Sequence, residues 1–382
     1  MLSFGGQAIY GTYLNLYLSD IGYTQSKIGL TVSVSTFFVL LAQMVWGIAS
    51  DRAKTKNTII SFLFLICSAI ILLFYISASY WFVLAVIALY ASFYTGVSPL
   101  LDNAVLEISE GKPWNFGQIR TGGTIGYCIS VLFIGFAIND RYTRIFFMTA
   151  ASLFVCFILT LRIPRVRGYR SGGQKTSVLV LFKNKPLMAL MAFYLVFSMG
   201  LSFFYSFYPI FFTSIGGTSS QIGVMLFFCA VTEIPCLMLA NRAVKRFGVD
   251  KVLIVSGVVT AVRWLLLFFL RDPVLIIAAN LLHGVGYTGF SYCIVTYISD
   301  HVPNDLRATS QSFNTLIGNV FSRLIFGYLG GLASQVFGAN HIMLASSAVM
   351  IGATLIFIPW SLRHHADYIS SGLADGGKQE KL

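Results

Sequence analysis

The sequence predicts an all-α membrane protein in which twelve transmembrane helices form two halves of six. Three observations predict this class. Hydrophobic side chains make up 57% of the 382 residues, charged ones make up only 10%, and the mean hydropathy is +0.78. Soluble domains carry about 25% charged residues. Apolar runs of about 20 residues, the length of helix that crosses a bilayer, recur along nearly the whole chain without the alternation typical of membrane strands.

Twelve apolar runs are long enough to be membrane spans. They cover residues 2–19, 26–49, 58–77, 80–106, 114–138, 143–162, 186–212, 218–240, 250–270, 273–299, 307–334 and 340–362. A basic, glycine-containing segment at 163–185 is predicted to be a cytoplasmic linker between an N-terminal half (1–162) and a C-terminal half (186–362), and a cytoplasmic tail follows (363–382). The first run begins without the charged segment or cleavage site of a signal peptide, so we expect the native helix to start earlier.

Basic residues are distributed unevenly between the two sides of these spans. Of 26 Lys and Arg residues, three lie in the interior of spans and four lie in loops or at span ends on one side, at Lys27, Arg141, Arg144 and Arg271; the other 19 lie in loops or at span ends on the opposite side. Cytoplasmic loops are enriched in Lys and Arg, so both termini are predicted to be cytoplasmic. The net charge of +12 therefore indicates membrane topology and not nucleic-acid binding. The short loops fit a multi-pass, monomeric protein of a bacterial inner membrane.

Cofactor and metal sites are not expected. All six cysteines fall inside predicted spans, and none has the spacing of metal ligands. The stretch GVGYTG at 284–289 matches the dinucleotide motif G-x-G-x-x-G, but apolar helix surrounds it and no strand precedes it. These glycines, like the pairs Gly122/Gly126 and Gly327/Gly331 at a spacing of four residues, are predicted to allow close contact between helices.

Ionisable residues inside spans are costly, and they usually pair or face a polar cavity. The chain has five, with His283 as a sixth titratable group: Asp102, Arg120, Glu233, Arg263 and Arg323. Asp102 and Arg120 lie nine residues before and after Gly111, the middle of the loop between spans 4 and 5. Equal offsets along two antiparallel helices place them at similar depth. They form either a structural ion pair or part of a solute site.

A longer pattern surrounds this pair. Pro99 precedes Asp102 by three residues, and Arg120 opens the stretch RTGGTIGY, which ends at Tyr127. The pattern resembles helices 4 and 5 of the lactose permease family of oligosaccharide:proton symporters in the major facilitator superfamily. The resemblance implies the major facilitator fold of two pseudo-symmetric six-helix bundles. It also implies that Asp102 and Arg120 bind sugar hydroxyls and that Tyr127, where the family usually has Trp, stacks on the sugar ring.

The second half carries further matches to that family. Glu233, two residues before Pro235, resembles the helix 8 acid that joins sugar binding to protonation. Arg263 and His283, twenty residues apart, match the spacing of the family's helix 9 arginine and helix 10 histidine. A structural hydrogen bond to a neighbouring helix is the alternative role for Glu233.

Two departures affect proton coupling. Asn280 and Gly286 stand where the family has a lysine and a carboxylate, so a proton must be carried by Glu233, His283 or Asp102. Arg323 lies as far after the loop between spans 10 and 11 as His283 lies before it. We therefore predict a contact between Arg323 and His283, with Glu233 as the alternative partner of the arginine.

A turn after the second span, GIASDRAKTK at 47–56, resembles the loop 2–3 signature of the major facilitator superfamily. It supplies Gly47, Asp51, Arg52 and Lys56. We predict a cytoplasmic latch in which the glycine allows close helix approach and the aspartate accepts hydrogen bonds.

The first span contributes two further candidates. A stripe of tyrosines runs along it at helical spacing, and Tyr13 and Asn15 are predicted to line the cavity.

These features predict a secondary transporter and not an enzyme. The hypothesis is proton-coupled symport of a sugar or related polyol by alternating access. Alternatives are uptake of nucleosides or aromatic acids and efflux of amphipathic drugs. A different class is a non-transporting membrane sensor.

Overall fold

The computed structural model describes residues 2–52, 55–109, 116–162, 184–302 and 304–375, and the elements of these ranges are helices. They are α1 (Leu2–Asp20), α2 (Gln25–Arg52), α3 (Lys56–Leu72), α4 (Tyr80–Tyr94), α5 (Val97–Ser109), α6 (Phe116–Ile138), α7 (Arg144–Thr160), α8 (Lys185–Ser214), α9 (Ser219–Phe247), α10 (Val249–Phe269), α11 (Pro273–Ala279), α12 (His283–His301), α13 (Asn304–Thr315), α14 (Ser322–Phe337) and α15 (Ala339–Asp375). Two 3-10 turns (Leu73–Tyr75 and Asn280–Leu282) and a π-helical turn (Leu316–Phe321) join some of them.

The helices follow the predicted apolar runs. Within the described ranges, nine helical stretches are long and apolar enough to cross a bilayer, and two shorter apolar helices cover Ile125–Ile138 and Arg144–Thr160. The six cysteines are free. The last helix extends to Asp375, so it continues into the segment predicted as a tail.

Helices before the linker pack mainly on one another, and so do those after it. In the first group α1 packs on α6 and α7, α3 packs on α7, and α2 packs on α4. In the second group α10 packs on α15 and α12, α9 packs on α12, and α8 packs on α14 and α15. The two groups meet chiefly where α2 contacts α14 and where α6 contacts α9.

The contact between α2 and α14 depends on glycines. A Cβ atom at Gly29 would lie 2.4 Å from the carbonyl oxygen of Gly327, and the Cα atom of Gly331 is also close. Ser33 Oγ donates a hydrogen bond to the carbonyl oxygen of Leu324 at 2.7 Å. Small residues at this spacing let helix backbones approach closely, as predicted for membrane helices.

The contact between α6 and α9 lies at the same end of the molecule. Ser219 N donates to Asp140 Oδ1 at 2.9 Å, and Ser219 Oγ donates to the carbonyl oxygen of Gly135 at 3.1 Å. Both contacts lie beside the turns at 21–24, 139–143 and 215–218. At the opposite end, α5 packs on α3, α4 and α6, whereas α13 packs on α12 and the π-helical turn. We call the end that carries the turns at 21–24, 139–143 and 215–218 the contact end.

Helix starts at the contact end are encoded locally. Thr218 Oγ1 accepts a hydrogen bond from Gln221 N, and Gln221 Oε1 accepts one from Thr218 N, which together form a capping box for α9. Asp272 Oδ1 accepts from the first backbone amides of α11, and Pro273 occupies the first helical position, where it needs no N–H partner.

Candidate functional site

A cavity of about 400 Å³ lies between the two groups of helices, and its walls come from α1, α6, α8, α9, α12, the π-helical turn and α14. Its volume falls within the roughly 300–1,000 Å³ of small-molecule sites. On α1 it is lined by residues up to Thr12, whereas contact-end residues begin at Tyr13. Polar side chains line much of it: Gln7, Thr12, Tyr127, Ser198, Ser202, Tyr205, Glu233, Tyr287, Asn319, Ser322 and Arg323.

Glu233 and His283 form an ionisable pair at this wall. His283 Nε2 lies 3.3 Å from Glu233 Oε1, and the same nitrogen lies 3.3 Å from the Tyr205 hydroxyl oxygen. The His283 side chain is 1% exposed, whereas that of Glu233 is 31% exposed. A hydrogen bond between the carboxyl group and the imidazole needs one proton, which either group can carry. The carboxyl group is the member of the pair that the cavity reaches.

Backbone geometry holds this pair together. Helix α12 begins at His283, directly after the 3-10 turn at Asn280–Leu282. A Cβ atom at Gly284 would lie 2.3 Å from the carbonyl oxygen of Thr232, so only glycine lets α12 approach α9 this closely. The predicted role of the GVGYTG glycines in close helix contact is confirmed at this position.

Three tyrosine rings line the cavity beside the pair. Tyr127 on α6 is half-buried at the wall, and its stacking on a solute stays a prediction. The sequence did not single out Tyr205 or Tyr287. Tyr287 stacks on His283 with ring centroids 5.4 Å apart, and its position four residues after that histidine is a signal that could have identified it. Tyr205 lies four residues before Pro209, which cannot donate to its carbonyl group.

Arg263 lies behind the pair and does not line the cavity. The side chain is 2% exposed, and its Nε and Nη2 atoms donate to Asn280 Oδ1 at 3.1 and 2.6 Å. The guanidinium carbon lies 4.3 Å from the ring centroid of Phe204. Asn280 Nδ2 in turn donates to the carbonyl oxygen of Ile276 at 2.8 Å. The position where the resemblance expects a lysine therefore holds the neutral acceptor of a buried arginine.

Arg323 lies on the cavity wall, but its predicted contact is wrong. It forms no hydrogen bond or ion pair with His283, Glu233 or any other residue that the structure describes. Equal distance from a loop predicts equal depth along a helix, but it does not fix the direction of a side chain. The π-helical turn directly before Ser322 adds a residue to the helical repeat, and this rotates the following side chains relative to a regular helix.

Comparisons with known proteins identify the family of this chain. The sequence model of the MFS_1 like family matches residues 1–345. The chain belongs to this family of the major facilitator superfamily. It is therefore a transporter with several membrane helices and not an enzyme.

Relatives share most of the chain length. The uncharacterized transporter YwbF of Bacillus subtilis is 25% identical over 83% of this chain and 80% of its own length. The maltose permease of Geobacillus stearothermophilus is 24% identical over 83% of this chain and 82% of its own. The crystal structure of the nucleoside transporter NupG is similar in fold, with a TM-score of 0.83 at 16% identity over 94% of this chain and 96% of that one.

The predicted clamp is only partly described in this transporter. Asp102 lies on α5 with a half-buried side chain, and it is not among the residues that line the cavity. Arg120 lies on α6, but its side chain lies outside the described part of the chain. A common solute site for Asp102 and Arg120 stays a prediction.

The prediction that Tyr13 and Asn15 line the cavity is wrong. The Tyr13 side chain is fully buried, and its hydroxyl donates to the carbonyl oxygen of Ser219 at 3.2 Å. Asn15 Nδ2 donates to the carbonyl oxygen of Ser206 at 2.9 Å. Helical spacing identified a polar face on α1, but this face meets α8 and α9 at the contact end.

The predicted latch is described at two of its four positions. Gly47 is not at a close helix approach, since a Cβ atom there would meet nothing within 4 Å. That part of the prediction is wrong for this conformation. Lys56 Nζ lies 3.5 Å from Glu107 Oε2, which joins the start of α3 to α5. The side chains of Asp51 and Arg52 lie outside the residues that the structure describes.

Proposed function

We propose that this transporter imports a sugar or related polyol together with a proton. In the proposal the chain is a monomer that spans a bacterial inner membrane twelve times, in two six-helix bundles with both termini in the cytoplasm. The distribution of Lys and Arg among the loops supports this orientation. The contact end then faces away from the cytoplasm, and the cavity lies on its cytoplasmic side.

The observation that carries the proposal is the Glu233–His283 pair at the cavity wall. An acid that is ionisable, buried on one side and reachable from a polar cavity is the kind of intramembrane group that relays protons. Its carboxyl group lies 3.3 Å from the imidazole nitrogen, so a proton gained from the cavity has a second site within hydrogen-bonding distance. Binding of a solute in the cavity then depends on whether Glu233 carries that proton.

The other cavity groups suit a polyol. Ser202 Oγ is buried at the wall without a hydrogen-bond partner among the described residues, and Asn319 is exposed in the same space. Hydroxyl and amide groups both donate and accept, which matches the hydroxyls of a sugar. The rings of Tyr127, Tyr205 and Tyr287 provide apolar faces on which a pyranose ring packs.

The proposed cycle couples these parts by alternating access. With the cavity open to the outside, protonation of Glu233 permits solute binding. The loaded protein closes and then opens to the cytoplasm, where the solute leaves first and the proton follows. Asp102 and Arg120 are proposed to hold solute hydroxyls from the first half.

Nucleoside uptake is the second candidate. Three tyrosine rings in one cavity also suit a nucleobase, because every base has a face on which an aromatic ring stacks. The shared fold with the nucleoside transporter NupG is compatible with this candidate but does not select it.

Counterflow in proteoliposomes separates the two candidates. Vesicles are loaded with an unlabelled solute, and entry of the labelled one is measured for maltose, lactose and glucose against uridine and adenosine. We expect counterflow with at least one sugar. Counterflow confined to nucleosides supports the second candidate, and its absence for every solute contradicts both.

A substitution in the cavity wall links the flux to this site. Tyr127→Ala should weaken solute affinity about 2- to 10-fold, the range of an aromatic contact. The matched control is Tyr75→Ala, because Tyr75 is an exposed tyrosine at the contact end whose hydroxyl donates to the carbonyl oxygen of Thr143. Equal effects of the two substitutions would place the solute elsewhere.

A further inference from the structure

Arg323 is the one arginine or lysine among the described residues that line the cavity, and it has no partner there. It lies in the first turn of α14, directly after the π-helical turn, and its side chain is exposed to the cavity. Asn319 and Ser322 line the cavity beside it. Short π-helical insertions of this kind frequently occur at functional sites.

Several other described cations are compensated by the protein itself. Arg263 has Asn280 and the face of Phe204, and Lys56 has Glu107. Even the exposed Arg271 donates to backbone carbonyl groups. Arg323 forms no such interaction with any residue that the structure describes. A guanidinium inside a membrane protein is always charged, and a charge left unpaired there is costly.

The charges that line the cavity do not offset this cation. Glu233 is the one carboxylate among the described lining residues, and its Oε1 already lies 3.3 Å from His283 Nε2. When it carries the transported proton, it is neutral. The loaded cavity then keeps the positive charge of Arg323, and a solute that displaces water from this group must replace the lost hydrogen bonds.

We propose that the solute carries a carboxylate that binds Arg323, so that the preferred substrate is a sugar acid and not a neutral sugar. This inference rests on the proposed uptake of a polyol with a proton. A carboxylate matches the planar fork of guanidinium with two parallel hydrogen bonds, whereas a hydroxyl offers one. Asn319 and Ser202 bind hydroxyls of the same solute.

The proposal changes the charge balance of transport. A monoanionic solute that enters with one proton moves no net charge, whereas a neutral sugar with one proton moves one positive charge. Only the movement of net charge responds to membrane potential. Accumulation should therefore follow a pH gradient and stay unchanged when a potassium and valinomycin potential is imposed.

The test compares matched solutes in proteoliposomes of the full chain. Glucuronate and galacturonate are measured against glucose and galactose for counterflow and for thermal stabilisation of the purified protein. We expect the acids to bind about 10- to 100-fold more tightly, the range for a hydrogen bond to a charged group. Tighter binding of the neutral sugars overturns this inference and leaves the proposed function standing. Failure of all four to bind, together with maltose and lactose, overturns both.

Substitution of the arginine assigns the preference to this site. Arg323→Gln should abolish the preference for the acids while neutral sugars still bind, and Arg323→Lys should retain part of it. Arg271→Gln is the matched control and should leave it unchanged. Retention of the full preference in Arg323→Gln contradicts the proposal. If that variant fails to fold, as judged by size-exclusion chromatography, the lysine variant and the response of wild-type accumulation to membrane potential decide it.

Discussion

The glycine contact between α2 and α14 predicts how the two halves can be driven apart. Gly29→Ala places a Cβ atom 2.4 Å from the carbonyl oxygen of Gly327 and 3.1 Å from the Cα atom of Gly331. Close carbon–oxygen contacts between helices lie at about 3.3 Å or more. The two backbones must therefore separate by about 1 Å, because neither neighbour is a side chain that can rotate away.

The size of the effect follows from this overlap. Inserting a methyl group into a filled contact costs about 1–3 kcal/mol. The cost applies only to the conformation in which the contact end is closed. The equilibrium between conformations should therefore shift toward opening of that end by about 5- to 150-fold.

Chemical labelling of a cysteine that replaces the buried Ser33 measures this shift in the conformational equilibrium. Ser33 lies in the α2–α14 contact and is buried. We expect Ser33→Cys to react at least about five-fold faster with a membrane-impermeant maleimide when Gly29→Ala is also present. The control is Gly352→Ala, where the added Cβ atom meets nothing within 4 Å. Equal labelling rates for the Gly29→Ala and Gly352→Ala proteins would refute this reasoning, whether or not stability falls.

Three further substitutions test the site. Under a pH gradient of one unit, the wild type should accumulate solute about tenfold, because one pH unit is worth about 1.4 kcal/mol per proton, whereas Glu233→Gln should reach only equal concentrations on the two sides. Counterflow should persist in this variant. Continued accumulation would exclude Glu233 as the proton carrier. Asn280→Ala leaves buried Arg263 without its acceptor and should lower the free energy of unfolding by about 1–3 kcal/mol. Asn280→Asp is the comparison. An unchanged midpoint of thermal unfolding in Asn280→Ala would contradict the role of Asn280 as the acceptor of Arg263. Asp102→Asn should weaken solute binding in the thermal-shift assay about 10-fold or more. Unchanged affinity would contradict the prediction that Asp102 binds the solute.

Much of the fold follows from the sequence because membrane helices need uninterrupted apolar runs. The described helices therefore begin and end near the predicted boundaries, and the glycine pair Gly327 and Gly331 lies at a close helix contact as its spacing predicts. The apolar pattern did not predict the extension of α15 to Asp375, since a polar segment can continue a helix outside the bilayer.

The site was only partly predictable. Glu233 and His283 are neighbours because the helices that carry them pack together, and the resemblance to a sugar symporter family placed both at one site. Direction around a helix is harder to predict than depth along it. Tyr13 therefore faces the contact end, and Arg323 faces the cavity without touching His283. Asn280, which accepts the hydrogen bonds of Arg263, lies in the 3-10 turn at Asn280–Leu282, and no feature of the sequence predicted this turn.

Proton movement during solute entry tests the central claim most directly. Proteoliposomes in weakly buffered medium receive a saturating amount of a solute that shows counterflow, and the external pH and the internal solute are recorded together. We predict alkalinisation of the medium by one proton per solute molecule, with no alkalinisation in Glu233→Gln. Entry of the solute without any change of external pH would contradict proton-coupled transport through this cavity.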